Sequence, residues 1–159
     1  MKTCTKLSTA VLIILALLLL VGCGGAPAAA TLNDIPAYPG AKELQPGESN
    51  LADTLGKNNQ TDAALRAQLG TGGKTEQKGY SLPNDAKWDQ VKSFYDDKLK
   101  GAGWSTNSLV SGIMEQANQG NDLFRVANWQ RGQQNVSIVM LTSPTDANEK
   151  QLIISLSSQ

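Results

Sequence analysis

The segment from Trp88 to Gly101 constrains the fold of this chain more than any other. Trp88, Val91, Tyr95 and Leu99 recur every three or four residues, and Phe94 widens the same apolar stripe. Lys87, Asp89, Lys92, Asp96, Asp97, Lys98 and Lys100 occupy the other positions, so the spacing predicts an amphipathic helix. Pro83-Asn84-Asp85 supplies N-cap residues. Gly101 stands where a C-terminal cap belongs, and Gly103-Trp104 starts the return. Such a helix must bury its stripe against another element.

The rest of the chain offers strands for that purpose. Thr75 to Leu82 reads as a strand with Tyr80 and Leu82 on one face. Leu109 to Gln116 is expected to be a strand, with Leu109 and Ile113 set against Val110 and Met114. Leu123 to Gln130 alternates Phe124 and Val126 against Leu123, Ala127 and Trp129. Val136 to Thr142 and Leu152 to Leu156 complete the set, separated by short loops rich in Gly, Asn and Pro that favour antiparallel hairpins. Between Glu48 and Leu69 the pattern is helical but interrupted at Gly56 and Lys57-Asn58-Asn59-Gln60, which predicts two short helices or one frayed helix after a loop. The expectation is an α+β fold: one main helix packed on an antiparallel sheet of about four to five strands, with an N-terminal helical segment.

Ahead of this lies a different kind of sequence. Lys2 and Lys6 precede an apolar run from Ala10 to Val21, the order of a secretory signal. The run is about a dozen residues where a membrane span needs about 20. Extending it takes in Gly22, Gly24, Gly25 and Pro27 on one side and Ser8, Thr9 and Lys6 on the other, which weakens the alternative of an uncleaved membrane helix. Leu20-Val21-Gly22-Cys23 resembles the lipobox of bacterial lipoprotein signal peptides. The resemblance implies cleavage between Gly22 and Cys23, a diacylglyceryl group on the Cys23 thiol, and an acylated new N-terminus. It divides the chain into a signal peptide over residues 1–22, a lipidated cysteine with a flexible tether over 23–34, and a single globular domain over 35–159. The protein would then sit membrane-anchored on the extracytoplasmic face of a cell or outer membrane.

A second resemblance covers residues 35–159. Tyr38-Pro39-Gly40-Ala41, Tyr80, Phe94-Tyr95, Leu99 and Gly103-Trp104 are similar to a pattern in small uncharacterised domains of bacterial surface lipoproteins, in which a helix ending in these residues precedes a run of strands. That resemblance implies the fold and attaches no activity.

Composition narrows the chemistry. The chain has 14 basic and 14 acidic residues, and losing Lys2 and Lys6 with the signal tips it mildly acidic, which argues against a nucleic-acid partner. There is no histidine, so the commonest general base and metal ligand is missing. Cys4 falls in the signal segment and Cys23 in the lipobox, which removes thiol nucleophiles, thiolate metal sites and an internal disulfide. Asp89, Asp96 and Asp97 share their helix with lysines at neighbour spacing, as a solvated ion-paired surface does. Gly73-Lys74-Thr75 lacks the earlier glycine of a phosphate loop. These absences predict no metal, no cofactor and no enzyme, and disfavour a hydrolase. Most aromatics are assigned to the core. Trp129 is expected at the surface, near a hairpin end beside Gln130 and Arg131, and Trp129 with Arg131 forms the candidate binding surface. The leading expectation is a non-enzymatic binding or envelope-associated domain with a protein or glycan partner. The alternative is a ligand- or carbohydrate-binding surface lipoprotein.

Overall fold

The computed structural model describes residues 28–69 and 73–158. A single 3-10 turn at Leu32–Asp34 is followed by β1 (Lys42–Glu43), α1 (Asn50–Leu69), β2 (Lys74–Ser81), α2 (Trp88–Gly101), α3 (Ser108–Asn118), β3 (Phe124–Arg131), β4 (Gln134–Thr142) and β5 (Lys150–Ser158). The strands form one antiparallel sheet in the order β1-β2-β5-β4-β3, so the fold is α+β as the sequence predicts.

Strand register decides which side of the sheet holds the core. Trp129 pairs with Val136 and Val136 with Leu156, while Ala127, Ile138 and Ile154 form the next row on the same face. These side chains are buried together with Val91, Tyr95 and Leu99 of α2, the stripe that the helical spacing predicts. Removing that much apolar surface from water is the main force holding helix to sheet, at about 1.5–3 kcal/mol for each large side chain. Tyr38, Phe94 and Tyr95 stack edge to face, with ring centroids 5.5 and 5.0 Å apart, and tie the extended Ile35–Ala41 segment onto the helix.

The end of α2 differs in detail from the expectation. Gly101 is the last helical residue, and the left-handed residue is Gly103, at φ +82°. The Trp104 amide donates to the Leu99 carbonyl at 2.9 Å and the Gly103 amide to Lys100 at 3.0 Å. Those two bonds close the helix, and buried Leu99 and Trp104 are the hydrophobic pair that accompanies such an ending.

Three further expectations are corrected. Residues 109–116 are not a strand but lie within α3, because the Asn107 side chain accepts from the Leu109 and Val110 amides and starts a helix there. Glu48–Leu69 does not break into two helices, since α1 runs unbroken for 20 residues. The packed chain also begins before Ile35. Leu32 is buried, and the Gln134 carboxamide both accepts from the Ala30 amide at 2.7 Å and donates to the Ala30 carbonyl at 2.8 Å. Residues 28–34, expected in the tether, therefore belong to the domain. Cys23 and its neighbours lie outside the described residues. Among those described, no helix is long and apolar enough to cross a membrane.

Candidate binding surface

Trp129 is not the exposed aromatic that its place near a hairpin suggests. It is 1% exposed, faces α2, and donates its indole Nε1–H to Asp96 Oδ1 at 3.0 Å. The same carboxylate takes Lys92 Nζ on its other oxygen at 2.8 Å. Asp96 thus does more than the solvated ion pair read from its spacing, because it also satisfies a buried donor in the core. Asp89 and Asp97 remain exposed.

Arg131 is likewise engaged. Its Nη1 donates to the Ala102 carbonyl at 3.1 Å, its Nη2 to the Ala28 carbonyl at 3.2 Å, and the guanidinium lies 4.9 Å from the Trp104 ring centroid. Trp129 and Arg131 therefore act within the fold, one as core and one as a clamp, and they do not form the exposed aromatic–arginine pair expected from the sequence.

A cleft between α2, α3 and β3 brings together Lys92, Asp96, Lys100, Ser111 and Glu115 over Trp129. Its volume is about 150 Å³, well under the roughly 300–1,000 Å³ of small-molecule pockets. A larger hollow of about 810 Å³ separates α1 from β2. Several of its polar groups are matched within the chain: Asn59 donates to the Gln77 carbonyl at 3.2 Å, and Lys78 reaches Asn33 and Glu43 at 3.2 and 3.3 Å. Among the described residues no group of three or more His, Cys, Asp or Glu side chains is placed to hold a metal ion.

Both sheet edges are covered along much of their length. On β3, Asn118 donates to the Val126 carbonyl and accepts from the Val126 amide, each at 2.8 Å, as a strand residue would. The Gln130 amide and carbonyl pair with Ser105 at 2.8 and 2.9 Å, and the Phe124 amide donates to Asn121 at 2.9 Å. On β2, β1 takes the end at Tyr80 and Ser81, Leu44 bonds the Gly79 carbonyl, and Asn59 the Gln77 carbonyl. Edge protection of this kind blocks strand-to-strand addition.

The face of the sheet turned away from α2 is the remaining surface. Register lays it out as four rows of four: Thr75, Ser157, Asn135 and Gln130; Gln77, Ser155, Ser137 and Asn128; Gly79, Ile153, Val139 and Val126; Ser81, Gln151, Leu141 and Phe124. None of these positions is ionisable. Two rows are hydroxyls and carboxamides, with Gln77 Nε2 donating to Ser155 Oγ at 2.9 Å, and the other two are largely apolar. Ile153, Ser155, Ser137 and Val139 keep partial exposure at the middle of the sheet, while Leu152, Ile154, Ile138 and Val136 beside them are sealed.

Helix α3 exposes a further apolar stripe. Met114 and Asn118 point to β3, and Ser111 and Glu115 to the α2 side. At 100° per residue, Leu109 and Ile113 then lie on the opposite side of the helix from α2. They are 74% and 62% exposed, an apolar stripe that the domain's own core does not use. The sequence reading missed this face, although the serine and asparagine positions alternating with buried residues in β4 and β5 were its signal. Comparison of the chain with protein-family models, curated proteins and solved structures gives no match.

Proposed function

We propose that this chain is a lipid-anchored extracytoplasmic lipoprotein whose single α+β domain is a non-enzymatic binding module, and that it binds through the open face of its sheet. The observation that carries the reading is the uncharged face itself. Sixteen aligned positions without an ionisable side chain stand out on a chain in which 18% of residues are charged. A solvated face needs charge for solubility, and a face that a partner covers avoids it, because an unpaired buried charge is costly. The partly covered edges favour recognition through side chains on this face over strand addition. The partner is another protein of the envelope. The lipid anchor rests on the lipobox-like Leu20-Val21-Gly22-Cys23.

A second reading, a neutral glycan ligand, is favoured by the two hydroxyl and carboxamide rows, since such groups hydrogen-bond polyols without a charge to desolvate. The test for both is photo-crosslinking in cells from a reactive group at Ser137, with Lys98 on the exposed side of α2 as control. A discrete protein adduct from Ser137 alone supports a protein partner, and a glycan adduct supports the second reading. Equal, diffuse labelling from both positions would remove the open face as the binding surface.

A further inference from the structure

Ala28 leaves the domain at a defined place. It is held at one end of the sheet, where Arg131 closes β3 and Gln134 opens β4, with the Arg131 guanidinium on its carbonyl and the Gln134 carboxamide on Ala30. Lys74 at the start of β2 and Ser158 at the end of β5 share that end of the sheet. From Cys23 to Ala28 the chain makes about five Cα steps, a reach of no more than about 18 Å even fully extended. Strand β3 alone, at 8 residues, spans roughly 25 Å toward the opposite end.

We propose that the end of the sheet bearing Arg131, Gln134 and the Gly132-Gln133 turn faces the membrane, and that it rests on a layer of anionic phospholipid headgroups. The proposal depends on lipidation at Cys23, as read above. With Ala28 clamped, an acyl chain inserted at Cys23 cannot let the domain stand inverted, far end on the bilayer and near end away from it, and charge selects between the upright and the flat arrangement. Charge favours the upright one. At the near end Lys100 and Arg131 outweigh Asp34, and Lys74 is balanced by Glu76. The far loops carry Asp85, Asp122, Asp146 and Glu149 against Lys87, Lys150 and Arg125, which pairs with Asp122 at 3.0 Å, so they keep a slight negative excess that an anionic surface repels. The strands then run away from the bilayer, and the open face stands roughly upright to it, available from the side.

The test uses the full acylated chain in vesicles of phosphatidylethanolamine and phosphatidylglycerol. A fluorophore is placed on Gln133→Cys or on Asp146→Cys, both exposed turn positions at opposite ends, with a quencher on the lipid headgroups. The expected result is severalfold stronger quenching at 133 than at 146. Equal quenching, or stronger quenching at 146, on chain that floats with the vesicles would overturn the orientation and leave the anchor standing. Mature chain that carries no acyl mass and does not float would overturn the lipoprotein reading, and the orientation with it.

Discussion

Trp129 and Asp96 are joined across the helix–sheet interface by a 3.0 Å hydrogen bond from the indole N–H to a carboxylate oxygen. The donor is buried and the acceptor sits on the outer flank of α2, where Lys92 neutralises it at 2.8 Å. One surface-helix residue therefore settles the orientation of the largest fully buried side chain in the domain.

Asp96→Leu is expected to destabilise the domain by about 1–3 kcal/mol, since it leaves the indole donor buried without an acceptor. Asp96→Asn keeps an acceptor oxygen and should cost less. Trp129→Ala should cost about 3–5 kcal/mol as a core truncation. Urea unfolding of the chain from Ala28 to Gln159 gives all three values. A Trp129→Ala variant as stable as wild type would show that Trp129 is not in the core.

The contrast between Trp129 and the α2 stripe explains what was legible in the sequence. Val91, Tyr95 and Leu99 were readable because α2 is apolar on one side and charged on the other. Both faces of β3 are apolar, Phe124 and Val126 on one and Ala127 and Trp129 on the other, so alternation cannot choose between them. Only the pairing of Trp129 with Val136 does, and register is a long-range property. In α3, Leu109-Val110 and Ile113-Met114 fit both a period of two and a spacing of four, and Asn107 as a cap was the deciding signal. The clamp on Ala28 and Ala30 works through backbone atoms, to which the run of small residues gives no clue.

Tyr95 should show the cost of an orphaned polar group. Its hydroxyl is buried with no well-formed hydrogen bond, only the Tyr38 backbone lying near it, so Tyr95→Phe is expected to be neutral or stabilising by up to about 1 kcal/mol. Burial raises the phenol pKa above its usual 10.0, with Tyr80 nearby adding to the effect, and burial raises Tyr80 as well. Above pH about 10 the unfolded chain releases phenolic protons that the folded chain retains, so stability falls as pH rises. Tyr95→Phe should move the alkaline unfolding midpoint upward. An unchanged midpoint would place the alkaline transition in other groups.

Two glycines at the end of α2 should respond in opposite directions to the same substitution. Gly101 is helical, with open space where an added methyl group would stand, so Gly101→Ala should stabilise by about 0.5–1 kcal/mol through helix propensity. Gly103 sits at φ +82°, where a side chain strains the backbone, so Gly103→Ala should cost about 1–2 kcal/mol. The Arg131 side chain would be 3.8 Å from the new methyl, an ordinary contact, so the cost is conformational and not a clash. Thermal unfolding that ranks the two the other way would mean that α2 ends elsewhere.

Cys23→Ala should block acylation, because the thiol is the attachment point in the lipobox reading. Each buried methylene of an acyl chain contributes about 0.8 kcal/mol to membrane binding, so the variant loses its anchor. Metabolic labelling with a fatty acid, followed by mass measurement, should find unprocessed chain without label. Normal labelling in the variant would remove the lipobox reading and leave the fold untouched.

The open face makes a prediction that separates binding from stability. Ser137 lies at the centre of the uncharged rows, flanked by Ser155 and Asn128, and is partly exposed. Ser137→Lys can extend its ammonium into water in the free domain, so the unfolding free energy should change by no more than about 0.5 kcal/mol. Once a partner covers the face, that ammonium is desolvated without a counter-charge, and crosslinking from a neighbouring position such as Asn128 should fall at least tenfold, about 1.4 kcal/mol. Lys98→Glu, on the opposite side of the molecule, should leave the adduct intact. If Ser137→Lys preserves both stability and the adduct while Lys98→Glu abolishes it, the binding surface is the outer side of α2 and not the sheet.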